Sequence, residues 1–340
     1  MVSFVIPNWN RADLLGAALQ SIRSQTWPAG EVIVVDNGSL DGSQQTAQRA
    51  GARVLQLGRN RGFSFAVNRG LEAARGELVA VVNNDLEFLP DWTEKLVQAL
   101  ERKGVWFATG KLLDYTRRDH IDGVGDAICR GGTACRLGHG RVDSPLFNEP
   151  RKTFFPSATA VLMRREFWRR AGGLEEAFFA YLEDVDLGLR AALLGLEGVY
   201  APEAVAYHWG SATLGPWSGK AVEWRTRNQI LLVAKFYPAS LLGKWWRPLL
   251  AAQALWALQT VRHGCPLAYA RGLCAGLIRV AGLRRAGAVW RTQTLQQEAN
   301  LASVLMASEA ELTRFQKALG WDPYWRWYFR LAPLAEEIQQ

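Results

Sequence analysis

Five polar groups, each at the end of an apolar run, carry residue types that do chemistry: Pro7-Asn8-Trp9-Asn10, Asp36-Asn37-Gly38-Ser39, Asn83-Asn84-Asp85, Glu183-Asp184-Val185-Asp186 and His208. Asp36, at a strand tip and followed by a turn, offers a carboxylate that can accept a hydrogen bond from the N3–H of a uracil or thymine ring. Asp-Asn-Gly-Ser also forms turns in any protein, and a strand-end Asp that caps its own turn is the plainer reading. Glu183, Asp184 and Asp186 open a helical pattern that runs through Leu193. Three carboxylates thus crowd a helix N-terminus, where the macrodipole favours the ionised form that a general base needs. A solvated capping cluster explains one of them more easily than three.

These groups need a sheet to bring them together. Val2–Pro7, Glu31–Asp36, Arg53–Leu57 and Leu78–Val82 are rich in Val, Ile and Leu and close with Pro, Asp, Gly or Asn, which predicts strands. Asn10 is placed to cap a helix from Arg11 to Gln25, with Leu14, Leu15, Ala18, Leu19 and Ile22 on one face. Asp41 is placed to cap the next helix, and Phe65–Ala74 fits a third. Alternating strands and helices imply parallel pairing with right-handed crossovers. The expected fold class is α/β, a Rossmann-like, mostly parallel sheet flanked by helices, with a helical C-terminal appendage. Ligands of such sheets bind at the carboxyl ends of the strands, where the first three polar groups fall.

A dinucleotide fold sets GxGxxG after its first strand, and a P-loop sets GxxxxGK(S/T) there. Ile6-Pro7-Asn8-Trp9-Asn10 has neither, so dehydrogenase and kinase chemistry lose their basis. The motifs instead resemble those of family 2 glycosyltransferases, inverting enzymes of GT-A fold that use nucleotide-diphosphate sugars. The resemblance runs over roughly residues 2–235 and also takes in Asp41-Gly42-Ser43, Asn60-Arg61-Gly62-Phe63 and His208-Trp209-Gly210-Ser211. Asn60-Arg61-Gly62-Phe63 and Arg227-Asn228 look most like rhamnosyltransferase-type members that act on cell-surface polysaccharides.

The resemblance implies that Pro7, Asn8, Asn10, Asp36, Asn60, Arg61 and Asn84 bind the nucleotide. Asn83-Asn84-Asp85 stands in the place of the family's DxD, which holds Mg²⁺ or Mn²⁺ against the diphosphate. Hard cations need oxygen ligands, and only Asp85 supplies a charged one, with Asn83 or Asn84 as neutral helpers. His208 resembles a histidine that supplies a further metal ligand. Two amides in place of carboxylates leave the site less negative, which implies weaker metal binding before the donor arrives. Asp184 matches the catalytic base, while Glu183 and Asp186 orient it or bind acceptor hydroxyls.

The implied reaction is a single displacement in which Asp184 deprotonates an acceptor hydroxyl and metal stabilises the departing diphosphate. The implied donor is dTDP-rhamnose or a UDP-sugar, and the implied acceptor is a saccharide or a polyprenyl-diphosphate-linked saccharide. Glu223-Trp224-Arg225 does not reproduce the Gln-x-x-Arg-Trp signature of processive synthases, so single sugar addition is expected. Phe179, Tyr181 and Trp209 border the acidic and His motifs, where aromatic faces either meet sugar edges or pack into the core. A non-catalytic nucleotide-sugar-binding protein is the competing reading, motivated by the amides at 83 and 84.

At 340 residues the chain is long enough for one large domain and an appendage. The net charge of +8 is uneven: residues 1–223 hold 25 basic and 26 acidic side chains, and residues 224–297 hold 11 basic and none acidic. Trp245, Trp246, Trp256 and Trp290 sit among the apolar runs there, a combination that suits an anionic membrane surface better than nucleic acid. The uncharged stretch from Pro248 to Val261 is shorter than the ~20 residues of a membrane-crossing helix. It reads as a helix on the membrane or as a buried one. The expected division is a transferase domain over 1–235 and a helical region over 236–340 that associates with the inner membrane surface or with a second copy. The chain opens directly on Val2-Ser3-Phe4-Val5-Ile6 without a signal-type pattern, which predicts a cytoplasmic protein, peripheral on the plasma membrane. Cys129, Cys135, Cys265 and Cys274 have no paired CxxC spacing, and reduced thiols are expected.

Overall fold

In the computed structural model, Val2–Asn8 (β1), Glu31–Asp36 (β2), Arg53–Gln56 (β3) and Leu78–Val82 (β4) lie parallel in the order β3-β2-β1-β4. The structure describes residues 1–210, 215, 217–291 and 295–334. Helices Ala12–Arg23 (α1), Ser43–Arg49 (α2) and Phe63–Ala73 (α3) make the crossovers. Phe4 and Ile6 enter one core with Leu15, Leu19 and Trp92, whereas Val5 enters the other with Val67 and Leu71. Both faces of the sheet are therefore covered, which is why these strands read as unbroken apolar runs.

The expected cap of the first helix is corrected. Asn10 and Arg11 both take left-handed backbone conformations, and Asn10 turns its side-chain oxygen to the N–H of Leu40. Asp41 instead accepts from Ala12 N–H at 2.8 Å and from Ser43 N–H at 3.1 Å, so one carboxylate serves the first turns of α1 and α2.

Beyond β4 the sheet stops being parallel. Leu86–Phe88 (β5) and Trp92–Leu100 (α4) lead to Val105–Asp114 (β6) and Ile121–Gly123 (β7). The ribbon of Asp126–Ile128 (β8) and Ala134–Arg136 (β9) comes before Arg151–Thr153 (β10) and Ala160–Arg164 (β11). β11 inserts antiparallel between β4 and β6. Arg165–Ala171 (α5) and Glu183–Leu193 (α6) then lead to the long strand Glu197–His208 (β12). β12 runs parallel to β6 and antiparallel to β5.

The chain divides into two units, Met1–Asp126 with Gly138–Thr213, and Ala127–Leu137 with Leu214–Gln340. The second unit holds Gly219–Phe236 (α7), Ala239–Lys244 (α8), Trp246–Arg262 (α9), Pro266–Ala286 (α10), Leu295–Leu319 (α11) and Pro323–Leu331 (α12). The division expected at residue 235, the end of α7, is corrected: the units part before α7, which belongs with the second unit. The reason is α7's partner: Gly272 and Gly276 of α10 let the helices approach so closely that a Cβ on Gly272 would lie 2.4 Å from the Glu223 carbonyl oxygen. A buried polar cluster also ties the unit together, with Glu309 accepting from Arg130 Nε at 2.6 Å and from the Tyr328 hydroxyl at 2.7 Å. Trp245 and Trp256, expected at a lipid boundary, are buried, and the Trp256 indole donates to Thr226 Oγ1 at 2.8 Å. Among the described residues no helix is long and apolar enough to cross a membrane.

Candidate active site

The tips of β1, β2 and β4 are laced together by side-chain amides. Asn84 donates to Asn8 Oδ1 at 2.7 Å and to the Asn10 carbonyl at 3.3 Å, and Asn8 donates to Ser39 Oγ at 3.1 Å. Pro7 is buried within β1, paired with Val35. Asp36, 1% exposed, accepts at Oδ2 from Gln44 Nε2 at 2.8 Å and from Ser39 N–H at 3.2 Å, and at Oδ1 only a longer bond of 3.4 Å from the same N–H. The turn-capping reading of Asp36 therefore holds, and Oδ1 keeps acceptor capacity. Ser39 and Gln44 also border an open cleft of about 530 Å³ that extends to Arg49.

Asn37, absent from the expected site, joins the next loop to this one. Its side chain accepts from Arg61 N–H at 2.8 Å and donates to Asn60 Oδ1 at 3.1 Å. Gly38 is required there, since a Cβ would sit 2.6 Å from the Arg59 Cα. Asn60 is thus a loop tie, while the exposed Arg61 lays its guanidinium 3.7 Å from the centroid of the Phe65 ring.

Sheet register explains how Asp85 meets His208. β5 begins one residue after Asp85 and pairs with β12 so that Leu86 faces His208. Asp85 is buried, and its Oδ1 faces His208 Nε2 at 3.3 Å, an ion-pair contact. Asp122, on β7, accepts at 2.7 Å from His208 Nδ1, which turns Nε2 toward Asp85. Burial pushes the imidazole down, but the Asp122 hydrogen bond and Asp85 outweigh it and raise His208 to about 9. Asn83 Oδ1 is a buried oxygen without a hydrogen bond. That oxygen and a buried carboxylate faced by an imidazole fit a hard cation, for which oxygen ligands are required, once the imidazole gives up its proton. Among the described residues no three His, Cys, Asp or Glu side chains gather into a ready cage.

The acidic motif arrives through a strained loop. Phe179, Tyr181 and Leu182 all have left-handed backbones, with φ of 64°, 71° and 66°. Asp184, half-buried, accepts from Ala158 N–H at 3.3 Å, and the adjacent Thr159 accepts from Asn83 N–H at 2.9 Å. Consecutive residues before β11 therefore set Asp184 next to Asn83-Asn84-Asp85. Glu183 departs from the ionised state expected at a helix N-terminus. Burial, then the charges of Asp184, Asp126 and Asp186, raise it well above the usual carboxylate range. Asp186 is corrected as an acceptor ligand: it is fully buried and pairs with Arg190 at 2.7 Å, and Arg190 in turn holds the Gly173 carbonyl at 2.6 Å. Its role is to fasten α6. Trp209 is 42% exposed and stacks on Tyr115 with centroids 4.2 Å apart, and its N–H donates to the Asp85 carbonyl. Ser211 lies outside the described residues.

The family model described as "Glycosyl transferase family 2" matches residues 3–171. The chain is 32% identical over 236 residues to the uncharacterized protein y4gI of Sinorhizobium fredii, covering 63% of this chain and 25% of that one. It is 30% identical over 226 residues to the N-acetylglucosaminyl-diphospho-decaprenol L-rhamnosyltransferase of Mycobacterium tuberculosis, covering 58% of this chain and 72% of that one. The chain thus spans a quarter of the first relative and most of the second. Among solved structures, it resembles GalNAc-T7 with UDP, GalNAc and Mn²⁺ (TM-score 0.59, 13% identity, covering 83% of this chain and 57% of that one). It also resembles the mannosyltransferase PcManGT of Pyrobaculum calidifontis in complex with GDP-Man and Mn²⁺ (TM-score 0.50, 19% identity, covering 92% and 86%). At these identities the structural likeness carries the fold alone.

Proposed function

The chain belongs to glycosyl transferase family 2 and has its GT-A fold, and from that premise we propose that it moves one sugar from dTDP-rhamnose or a UDP-sugar onto a saccharide or a polyprenyl-diphosphate-linked saccharide. The transfer inverts the anomeric centre and serves cell-surface polysaccharide synthesis. The observation that carries this reading is the meeting of Asp184 and Asn83-Asn84-Asp85 at the consecutive residues Ala158 and Thr159. The rhamnosyl donor and the lipid-diphosphate acceptor are supported by the name of the mycobacterial relative.

Asp36 Oδ1 reads the pyrimidine N3–H, while the Asn8, Asn10 and Asn84 lattice keeps the donor cleft in shape. Asp85 and His208, with Asn83 as a neutral helper, are the residues that would hold Mn²⁺ or Mg²⁺. When bound, such a cation supplies electrostatic stabilisation to the diphosphate that leaves. Asp184 accepts the proton of the acceptor hydroxyl as the freed oxygen pair bonds to the anomeric carbon from the face opposite the diphosphate. The carbon–oxygen bond to the diphosphate breaks with its electron pair on the diphosphate. One positioned base suffices for this inversion, and it contributes on the order of 10²–10⁴-fold to the rate. The exposed Trp209 face offers the acceptor sugar an apolar platform.

Incubation with a panel of dTDP-, UDP- and GDP-sugars, Mn²⁺ and a lipid-linked acceptor tests the reading. Nucleotide release that needs both acceptor and one pyrimidine donor, with an inverted product by NMR, is the expected result. Binding of donor without release in the presence of a competent acceptor would favour a non-catalytic nucleotide-sugar-binding protein.

A further inference from the structure

Surface helices ordinarily turn their polar side outward. α9 and α10 turn apolar stripes outward as well as inward. Trp246, Leu250, Leu258 and Val261 of α9 are between 52 and 62% exposed, and with Ala254 they fall on one face. Pro248, Ala252, Trp256 and Thr260 occupy the buried face of the same helix. On α10, Leu267, Leu277 and Ile278 are 74, 58 and 79% exposed. Ala270, Cys274 and Ala281 continue that face, while Gly272 and Gly276 face α7. Exposed arginines flank both stripes: Arg247 and Arg262 on α9, and Arg279 and Arg285 on α10, while Arg271 of α10 pairs with Glu223 of α7 at 3.2 Å.

We propose that α9 and α10 dock the chain on a bilayer of anionic phospholipid, lying in the plane of the interface with apolar side chains in the acyl boundary and arginines among the phosphates. Charge decides between occupants. A second copy of this face would set arginine against arginine, because α9 and α10 carry no carboxylate of their own and Glu223 beside them is already paired with Arg271. Nucleic acid would satisfy the arginines but leave the apolar stripes in water. An anionic lipid surface complements both features. Trp246, exposed at the start of α9, has the amphipathic ring that settles at the headgroup level. The inference goes beyond the transfer reading, which does not say what holds the enzyme beside a lipid-linked acceptor. It rests on charge and exposure, so the two readings fail separately.

The test is co-sedimentation of the full chain with vesicles of phosphatidylglycerol mixed into phosphatidylcholine, and of phosphatidylcholine alone, at low and high salt. The wild type is expected to pellet with the anionic vesicles at low salt. About tenfold weaker binding is expected at high salt, and at low salt for Leu258→Glu with Ile278→Glu. Both residues are exposed, so the double variant is expected to keep its melting temperature and its transfer to a water-soluble acceptor. An environment-sensitive dye on the exposed Cys274 is expected to shift to the blue with anionic vesicles only. Equal binding to neutral vesicles, binding to neither, or a lipid-free dimer that the double variant splits would each overturn the proposal.

Discussion

Burial decides what the acidic side chains of this site can do. A helix N-terminus favours a carboxylate by about 0.3–1 kcal/mol, whereas full burial moves a carboxyl by up to about 3–5 pKa units, so at the start of α6 burial outweighs the dipole and raises Glu183 well above the usual carboxylate range. A carboxyl whose folded value lies above its unfolded one stabilises the fold below the unfolded value, and that stability is lost as pH rises toward the folded value. Glu183→Gln is therefore expected to be more stable than wild type at neutral pH. The gap should widen as pH rises from about 5 toward 8, above the unfolded carboxylate value. Urea denaturation across that range checks this, and parallel stability curves would contradict it. Asp122 is the other residue whose role comes from its surroundings, through its 2.7 Å contact with His208 Nδ1. Asp122→Asn is expected to weaken Mn²⁺ binding, followed by electron paramagnetic resonance, by about 10–100-fold. Unchanged affinity would show the contact to be structural only. The carboxylates and amides of the site were legible as chemistry because each ends an apolar run. Asp122 was not, since Asp-Gly reads as a turn and its partner is 86 residues away.

At the scale of elements, β2 and β4 fall where the apolar runs place them, and α6 spans the expected Glu183–Leu193. Strands buried on both faces announce themselves by composition, and an amphipathic helix by its period. The antiparallel entry of β11 had no such signal, because pairing between strands distant in sequence leaves no local pattern. The cap of α1 was misread for a related reason. Asp41, rather than Asn10, answers the first N–H, and only the folded loop brings it there. Close approach of α7 and α10 gives a test at this scale. Gly272→Ala sets a Cβ 2.4 Å from the Glu223 carbonyl oxygen and is expected to cost about 1–3 kcal/mol as overpacking. Gly243→Ala in α8 meets nothing within 4 Å and is expected to gain about 0.4–1 kcal/mol. Calorimetric melting of the two variants checks the pair, and similar shifts in both would contradict the packing account.

For the whole molecule, the division of labour follows the charge. The unit that carries the site's residues comes from a stretch with near balance, 25 basic and 26 acidic side chains over residues 1–223, while the excess lies in 224–297. The family resemblance placed the border near 235, where its motifs end. The fold places α7 on the far side, because a helix belongs with what it packs against. The central claim is that this fold brings one base, Asp184, to a donor site built at the strand tips. The most direct test compares nucleotide release by wild type and Asp184→Asn, with donor affinity measured in parallel. The account predicts a loss of about 10²–10⁴-fold in kcat for the variant with donor binding retained. A variant that transfers sugar as fast as wild type would contradict it.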